Sequence, residues 1–585
     1  MTNEELLAKL EDSTKDAALH QLQTLHSILQ HQAGVRYLWP FLSGYHEPID
    51  AETFRRLVPL SSYEDYADHI SRMANGEPDH DHPFLSVDPL VCFFYSSGTS
   101  TMKPKLIPYF DSALSKAASY LAHNGSNSIF RRLIPPRPVV NKILWFLYAD
   151  DFPTTRGGFN AVAASTYPLL KMSKAKWSEA LSCTSPPEVI SGTNVKNQMY
   201  CHLLCALRNS DLIDGIRAPY AIGLVKAFNL LESKWGQLCD DLENGFPDMQ
   251  ITDPAMRESV AKVLSGPQPD LSNRLRSIFE EKNWGGIVSK LWSNVRYVKC
   301  VTTGSMKHYY SKLKYYAGEV IILGGDYFAS ECPVGINLDI KQPPEATRFA
   351  MLPTAAYFEF LPFDLNEGSV VGKETVNFSG VEVGKTYEVV VTTYRGFYRY
   401  RLGDIVRVVG FHNSTPEVEF VMRAPNNAYE VITERDLMSA VESFQLVMRN
   451  AIAAEIVEFA SFLDLELSPK QLKIFLEVKE GCGLLQEEKL QESVESLKWC
   501  CSSLEKGLGG IYKVQRDRGE IGPLLVYIVK PGSFDRILQM AVENGAPASQ
   551  YKPPKIIRNS RVIGVMESSA LVTVCLDSLD GFDPN

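Results

Sequence analysis

Residues 91–105 have the sequence VCFFYSSGTSTMKPK, in which a short apolar run passes directly into a loop rich in hydroxyl groups. The run VCFFY is typical of a buried strand. The ten residues that follow contain five hydroxyl side chains, one glycine and two lysines. Such a loop can surround a polyphosphate with hydroxyls and backbone N–H groups, and a lysine can neutralise its charge. The pattern alone fits a flexible polar turn equally well.

The flanking sequence indicates where this loop lies. It is not a Walker A loop, because the GxxxxGK[ST] spacing is absent and no helix pattern follows directly. Instead, Leu106-Ile107-Pro108 has the composition of a returning strand. We therefore expect the loop at the tip of a β-hairpin.

A second segment, GGDYFASE at residues 324–331, follows another apolar run. Two glycines at the end of a strand allow the backbone to approach a flat ligand closely. Tyr327 is able to stack on a base, and Glu331 to hold Mg²⁺ directly or through water. The alternative is an ordinary turn followed by a surface acid.

A third segment, YRGFYRYRLGD at residues 394–404, contains three arginines, three tyrosines and one aspartate between two β-rich stretches. A carboxylate at Asp404 is able to accept hydrogen bonds from two ribose hydroxyls. The alternative is a salt-bridged strand edge with no ligand.

The chain has 585 residues, which is too long for one compact core. Helical patterns such as Val195–Arg208 alternate with short apolar strands, and this alternation predicts an α/β fold. A charge, a proline and two asparagines at residues 423–427 mark the predicted boundary. We expect a large domain over residues 1–425 and a smaller α/β domain over residues 426–585.

Composition excludes several classes of protein. The fractions of hydrophobic residues, 45%, and charged residues, 22%, are those of a globular enzyme. A net charge of −10 disfavours nucleic-acid binding. The eleven cysteines contain no CxxC pair, and Cys201 and Cys205 have the spacing of core residues on a helix. No apolar run is long enough to span a membrane. A reduced, cytoplasmic protein is expected.

Taken together, the three segments resemble the nucleotide motifs of the adenylate-forming, firefly-luciferase-like enzymes. More narrowly, they resemble the plant Gretchen Hagen family of acyl acid amido synthetases. The family's motifs stand at 96–100 (SSGTS), 327–331 (YxxSE) and 396–404 (G[LF]YRxxxGD). Further similarity lies at residues 303–306 (TGSM), 357–360 (YFEF), 529–534 (VKPGSF) and 550–554 (QYKxP), so it covers nearly the whole chain.

The resemblance implies a large adenylation domain with a mobile C-terminal lid, and a monomer. It implies that ATP and Mg²⁺ convert a small carboxylic acid of the jasmonate, indole-3-acetate or benzoate class into an acyl-adenylate. An amino acid then takes the acyl group. The character of residues 317–364 favours the jasmonate branch.

The resemblance also implies roles for individual residues. Glu331 is expected to bind Mg²⁺ and, with Lys552 of the lid, to be catalytic. Nucleotide binding is expected at Ser96, Ser97, Gly98, Thr99, Gly325, Asp326, Tyr327, Phe328, Ala329, Ser330, Glu331 and Asp404. Substrate binding is expected at Leu114, Ala117, Tyr220, Val225, Pro333, Gly532 and Ser533.

Three positions depart from the family pattern. Met102 replaces a usual glycine in the first loop, and residues 427–431 (NAYEV) replace a longer stretch at the hinge. The predicted helix Ser112–Asn124, which lines the acyl pocket in the family, has no arginine for a substrate carboxylate. His123 is a possible substitute, although an exposed histidine at a helix end is the simpler interpretation.

Two other functions remain open at this stage. An acyl-coenzyme A ligase shares the adenylation step, and a hormone-binding or scaffold protein shares the fold without turnover. The chain has no GxSxG motif of a serine hydrolase and no GxGxxG dinucleotide motif after a strand.

Overall fold

A computed structural model describes most of the chain, including both sides of every predicted motif. The described residues are 1–42, 49–77, 83–96, 105–149, 153–365, 367–372, 374–425, 430–452, 454–479, 487–546 and 551–576. The predictions for Ser97, Gly98, Thr99 and Met102, and most of the hinge replacement at 427–431, lie outside these residues.

Helices occur throughout both parts of the chain. They are α1 (Asn3–Lys15), α2 (Ala17–His31), α3 (Trp39–Leu42), α4 (Ala51–Leu57), α5 (Glu64–Ala74), α6 (Ala113–Leu133), α7 (Tyr167–Leu170), α8 (Trp177–Ala180), α9 (Pro187–Ile190), α10 (Val195–Arg208), α11 (Ala221–Asn244), α12 (Pro254–Leu264), α13 (Pro269–Glu280), α14 (Ile287–Leu291), α15 (Tyr310–Ala317), α16 (Glu434–Ile452), α17 (Glu487–Lys506), α18 (Gly510–Asp517), α19 (Ser533–Glu543) and α20 (Ser560–Ser568).

Strands alternate with these helices. They are β1 (Leu90–Tyr95), β2 (Leu106–Phe110), β3 (Lys142–Trp145), β4 (Ala161–Val162), β5 (Ile213–Tyr220), β6 (Tyr297–Val301), β7 (Ile321–Leu323), β8 (Tyr327–Phe328), β9 (Pro333–Ile336), β10 (Phe349–Met351), β11 (Tyr357–Asp364), β12 (Ser369–Val370), β13 (Thr386–Thr392), β14 (Tyr400–His412), β15 (Thr415–Arg423), β16 (Ile456–Asp464), β17 (Gln471–Val478), β18 (Leu524–Val529) and β19 (Ala570–Leu576).

Within the described residues these strands form four sheets, and the α/β class predicted from the sequence is confirmed. A parallel sheet has the order β3-β5-β6-β7, and its strands are largely apolar because helices cover it. A small sheet has the order β2-β1-β4. The largest has the order β12-β11-β13-β14-β15-β10-β9-β8, and its neighbouring strands are antiparallel.

The fourth sheet, β16-β17-β18-β19, belongs to the C-terminal unit, which we define as residues 430–576. Successive residues of β17 point to opposite faces, as a strand requires. Ile474 and Leu476 join the apolar cluster that contains residues of α16 and α17, whereas Phe475 joins the cluster with α19 and α20. Helices therefore cover both faces of this sheet.

The hairpin expected around the first motif is present, with β1 and β2 antiparallel. The helix predicted over Ser112–Asn124 begins as expected, where the Ser112 hydroxyl accepts a hydrogen bond from the Ser115 amide. It continues to Leu133, about two and a half turns beyond the predicted end. His123 is therefore exposed as predicted but is not at a helix end.

The helix α10 confirms that Cys201 and Cys205 are core residues. Both are fully buried with free thiols, and the His202 ring between them bonds to the Ser185 hydroxyl and the Leu147 carbonyl. No cluster of metal-ligating side chains occurs among the residues that the structure describes. None of the described helices is long and apolar enough to cross a membrane.

The C-terminal unit contacts the rest of the chain through a buried polar triad, which we define as Tyr309, Glu458 and Lys555. The Tyr309 hydroxyl donates to Glu458 Oε2 at 2.5 Å, and Lys555 pairs with the other carboxylate oxygen. Burial opposes the charge on Glu458, but Lys555 and Tyr309 hold its pKa below the ordinary value. The Lys555 side chain is entirely inaccessible to solvent.

Removing one partner of a buried ion pair is expected to cost about 3–5 kcal/mol of folding free energy, because the remaining charge keeps its desolvation penalty. Lys555→Met should therefore lower the unfolding temperature clearly in calorimetry. Lys312→Met is the matched control, since Lys312 pairs with Glu455 at 3.2 Å in a partly exposed position and should cost less than about 1 kcal/mol. Equal shifts in the two variants would contradict a structural role for the triad.

Candidate active site

The second and third motifs meet because the largest sheet curls. Strand β8, which carries Tyr327, lies four positions from β14, which carries Asp404. In a flat sheet these strands would be roughly 19 Å apart, beyond the reach of a tyrosine side chain. The Tyr327 hydroxyl nevertheless donates to Asp404 Oδ2 at 2.6 Å. The sheet therefore bends until its edge strand faces its centre.

The second carboxylate oxygen of Asp404 lies against an arginine. Arg423 ends β15 directly opposite Asp404 in the strand register, and its Nη1 lies 2.6 Å from Oδ1. This contact is an ion pair without hydrogen-bond alignment, so Oδ1 accepts no directed hydrogen bond within the described residues. Asp404 is 3% exposed. A buried acceptor of this kind fits the hydroxyl of a ligand.

The turn that leads to Asp404 is fixed by backbone geometry. Gly396 has φ +83°, and a Cβ there would lie 2.4 Å from the Leu85 carbonyl oxygen, so only glycine fits. Arg399 has φ +46° and forms a buried ion pair with Glu359 at 2.8 Å. The Ser61 amide donates to the Arg399 carbonyl at 2.9 Å. These contacts hold the third motif against the N-terminal helices.

All three motifs meet at Ser330. Its hydroxyl donates to the Tyr95 carbonyl at 3.1 Å, at the point where β1 enters the first motif. Its carbonyl accepts from Arg395 Nη1 of the third motif at 2.5 Å. Across the hairpin, the Ser96 amide donates to the Lys105 carbonyl at 2.9 Å. The base of the first loop therefore lies beside the second and third motifs.

Glu331 follows Ser330 and lines a small cleft next to α6. Burial raises the pKa of its carboxyl, with Arg423 acting in the opposite direction and Asp404 reinforcing the rise. Among the described residues no lysine or arginine forms an ion pair with it. The donor set fits Mg²⁺ as that ion is usually held beside a nucleotide, by one or two carboxylates together with phosphate oxygens.

The other predicted residues of the second motif contact the protein. Asp326 accepts from the Ser126 hydroxyl and, at 3.0 Å, from the Asn337 amide. Phe328 packs edge-on against His123, with ring centroids 4.7 Å apart. A Cβ on Gly325 would lie 2.9 Å from Val301 Cγ2, so this glycine permits close packing of the protein itself.

His123 thus faces the nucleotide motifs from the middle of α6. The residue as a whole is exposed, but its ring packs on Phe328, and this desolvation of the imidazole is the largest influence on its pKa and lowers it, although the Asp326 carboxylate acts in the opposite direction. The imidazole is therefore mainly neutral near pH 7. A neutral ring is a poor partner for a substrate carboxylate.

Five of the predicted substrate-binding residues lie on four elements of the large domain, α6, β9, β5 and α11. Leu114 and Ala117 are on the first turns of α6, and Pro333 lines the cleft beside Glu331. Tyr220 ends β5, and Val225 is buried on α11. The structure brings Pro333 and α6 together in one cleft.

The remaining predicted residues belong to the C-terminal unit, which faces the start of α11. Lys552 Nζ lies 4.1 Å from the centre of the Tyr220 ring, a cation–π contact. Gly532 and Ser533 begin α19, where the Gly532 amide donates to Glu477. Asp535 in the next turn pairs with Lys226 at 2.6 Å.

Comparison with known proteins gives a direct identification. Residues 6–322, 349–423 and 435–561 match the models of the GH3 family N-terminal, central and C-terminal domains. The chain belongs to the GH3 family. The resemblance inferred from the three motifs is confirmed.

Several characterised GH3 proteins align over most of their length. Over 585 aligned residues the chain is 34% identical to jasmonoyl–L-amino acid synthetase GH3.5 of Oryza sativa subsp. japonica, covering 96% of each chain. It is 48% identical over 385 residues to the probable indole-3-acetic acid-amido synthetase GH3.6 of the same organism, covering 64% of this chain and 78% of the relative. The solved structure of the AtGH3.15 acyl acid amido synthetase in complex with 2,4-DB has a TM-score of 0.83 at 28% identity, covering 100% of this chain and 99% of that one.

Sequence reasoning missed two residues that the structure places in this GH3 site. Arg395 connects the third motif to Ser330, and Arg423 pairs with Asp404. The signal for Arg423 was its place at the end of a strand, β15. That strand pairs with β14, which starts inside the third motif. No local signal distinguished Arg395 from Arg399 and Arg401 of the same motif.

Glu331 provides a test of this electrostatic environment. A carboxyl group whose pKa is raised by folding binds its proton more tightly in the folded than in the unfolded chain, so its ionisation removes stability as pH rises above the ordinary value of 4.5. Glu331→Gln cannot ionise. In buffer with a chelator, the unfolding temperature of the variant minus that of the wild type should increase as the pH rises from 4 to 8. A constant difference across that range would contradict the assignment.

Proposed function

We propose that this protein is an ATP-dependent ligase that activates a small carboxylic acid of the plant-hormone type as its acyl-adenylate and transfers the acyl group to an amino acid. The observation that carries the proposal is the meeting of the three motifs at Ser330, beside the buried carboxylates of Glu331 and Asp404. Full-length similarity to GH3 enzymes named for jasmonate, indole-3-acetate and 4-substituted benzoates supports the class of acid.

Different residues of the three motifs position ATP and neutralise its phosphate charge. Asp404, oriented by Tyr327, accepts hydrogen bonds from ribose hydroxyls of ATP. Residues 96–99 and Lys105 surround the phosphates. The acid's carboxylate then attacks the α-phosphorus and pyrophosphate leaves. Such a site works by holding the reactants in line and by fixed charges, without a covalent enzyme intermediate.

Glu331 is the residue of this chain that would hold Mg²⁺. The ion would supply positive charge to the phosphates while pyrophosphate leaves. The buried carboxylate beside it, Asp404, is already neutralised by Arg423, so Glu331 remains the free anionic ligand in the described part of the site.

Residues 426–585 form a lid in this proposal, with its boundary at residue 425. Lys552 is held on Tyr220 in this structure, and rotation of the lid would carry it to the phosphates. Cytoplasmic location and a monomeric state stay predictions from the sequence.

If the lid moves between the two half-reactions, substitution of Lys552 should affect them differently. Lys552→Ala should slow adenylation by about 10-fold or more, because its positive charge is needed while pyrophosphate leaves. Transfer from synthetic acyl-adenylate to the amino acid should change much less. Equal losses in both steps would argue against a lysine used in one lid position only. Lys513→Ala, which removes an exposed lysine from α18 of the same unit, is the control and should change neither step.

The function itself is tested by incubating the protein with ATP, Mg²⁺, panels of the three classes of acid and the twenty amino acids. Acid supplied with ¹⁸O in its carboxylate should yield AMP that carries one ¹⁸O atom, together with pyrophosphate and the amide. Replacing the amino acids with coenzyme A separates the acyl-coenzyme A ligase. Absence of acid-dependent pyrophosphate from every mixture would overturn the proposal and favour a binding protein without turnover.

A further inference from the structure

Arg395 is a buried arginine at the floor of the cleft that Glu331 lines. Its residue exposure is 8%, and its guanidinium lies over the rings of Phe94 and Tyr109 at 5.4 and 5.0 Å. Nη1 donates to the Ser330 carbonyl at 2.5 Å. The Ser330 carbonyl therefore fixes one edge of the guanidinium, and the two aromatic rings pack against its plane.

The remaining contacts of this guanidinium are weak. Nε reaches the Ser115 hydroxyl at 3.4 Å and Nη2 the Ser119 hydroxyl at 3.5 Å, both at the long limit for hydrogen bonds. Each terminal nitrogen carries two hydrogens. Among the residues that the structure describes, one N–H on each of them has no protein acceptor.

No carboxylate pairs with Arg395 in the described part of the chain. Arg399, four residues later and equally buried, shows the usual solution, since Glu359 pairs with it at 2.8 Å. Burial lowers the pKa of Arg395, and Tyr109 and the Glu331 carboxylate of the same cleft act in the opposite direction, so the guanidinium remains charged at neutral pH. A buried charge without a hydrogen-bonded counter-ion is costly, so a bound anion would offset the part of this penalty that Glu331 leaves uncompensated.

The cleft beside this guanidinium is small, with about 190 Å³ of empty space including its opening to solvent. Small residues of α6 line one side of it, so the carboxylate end of an acid enters when the neighbouring side chains shift outward. Among the described residues that line the cleft, Arg395 is the one cation, and it comes from the third motif and not from α6.

We propose that Arg395 binds the carboxylate of the acid substrate and so replaces the arginine that α6 lacks. This inference rests on the proposed function. Because Arg395 also holds the Ser330 carbonyl, the carboxylate it binds lies where the three motifs meet. One carboxylate oxygen forms the new bond to the α-phosphorus. The bond between that phosphorus and the bridging oxygen breaks, and pyrophosphate leaves with the electron pair. The guanidinium keeps contact with the other oxygen, which becomes the carbonyl oxygen of the adenylate.

The inference is tested by direct binding, which needs no turnover. Indole-3-acetic acid, jasmonic acid and 4-hydroxybenzoic acid, each paired with its primary amide, are titrated calorimetrically into the wild type, Arg395→Met and Arg395→Lys. Wild type should bind at least one acid more tightly than its amide. Arg395→Met should weaken binding of that acid by about 10- to 100-fold, the usual effect of losing a charged hydrogen bond, and leave the amide unchanged. Arg395→Lys should fall between them, because an ammonium group lacks the planar fork.

Two controls separate this role from a structural one. Arg407→Met removes a partly exposed arginine from β14 and should leave all affinities unchanged. Loss of the bond from Arg395 to the Ser330 carbonyl would weaken binding of ATP, acid and amide alike, so the ratio of acid to amide affinity is the readout specific to the carboxylate. Equal weakening of acid and amide, or retained preference for the acid in Arg395→Met, would overturn the inference.

The outcomes also separate this inference from the proposed function. Acid-dependent pyrophosphate release by the wild type together with unchanged acid affinity in Arg395→Met overturns only the role of Arg395. If Arg395→Met does not fold, Arg395→Lys decides: a selective loss of acid affinity supports the role, and wild-type affinities overturn it. Wild type that binds no acid better than its amide also overturns it.

Discussion

A buried carboxylate with two partners, Asp404 between Tyr327 and Arg423, is the contact on which the arrangement of this site depends. Burying an ionised carboxylate costs several kcal/mol, roughly, unless hydrogen bonds and a cation compensate it. The two partners come from strands that are distant from each other in sheet order, β8 and β15. The sheet must therefore curl to satisfy Asp404, and this curl brings the second motif against the third.

The same curl determines what surrounds Ser330. Its hydroxyl reaches the end of β1 and its carbonyl reaches Arg395, so a hairpin from a different sheet is joined to the site. Arg423 leads directly to the junction with the C-terminal unit. A change at the Asp404 pair is thus transmitted both to the nucleotide motifs and to the segment about which the lid is proposed to move. The buried triad of Tyr309, Glu458 and Lys555 fixes the other end of that unit in the present arrangement.

Much of this architecture was predictable from local sequence. The apolar run before residue 96 and the returning strand after residue 105 gave the hairpin, and helical spacing placed Cys201 and Cys205 in the core. The helical pattern at Val195–Arg208 has the same bounds as the helix in the structure. These features depend on neighbours in the chain.

The errors concern contacts between distant segments. The prediction stopped α6 near residue 124, although small polar residues such as Ser126 and Ser128 continue it and bond to other parts of the protein. Arg395 was counted with the other arginines of its motif, and only the fold shows that Arg399 and Arg401 have acidic partners.

The most direct test of the account is the affinity for ATP of Asp404→Asn measured beside Tyr327→Phe. The amide keeps the size of the carboxylate but loses its charge, so ATP binding should weaken by about 30- to 100-fold, a loss of roughly 2–3 kcal/mol. Tyr327→Phe leaves the carboxylate in place and removes one hydrogen bond that orients it, so it should weaken ATP binding less. Folded variants with this order of effects support Asp404 as the nucleotide-binding group, whereas wild-type affinity in Asp404→Asn would contradict it.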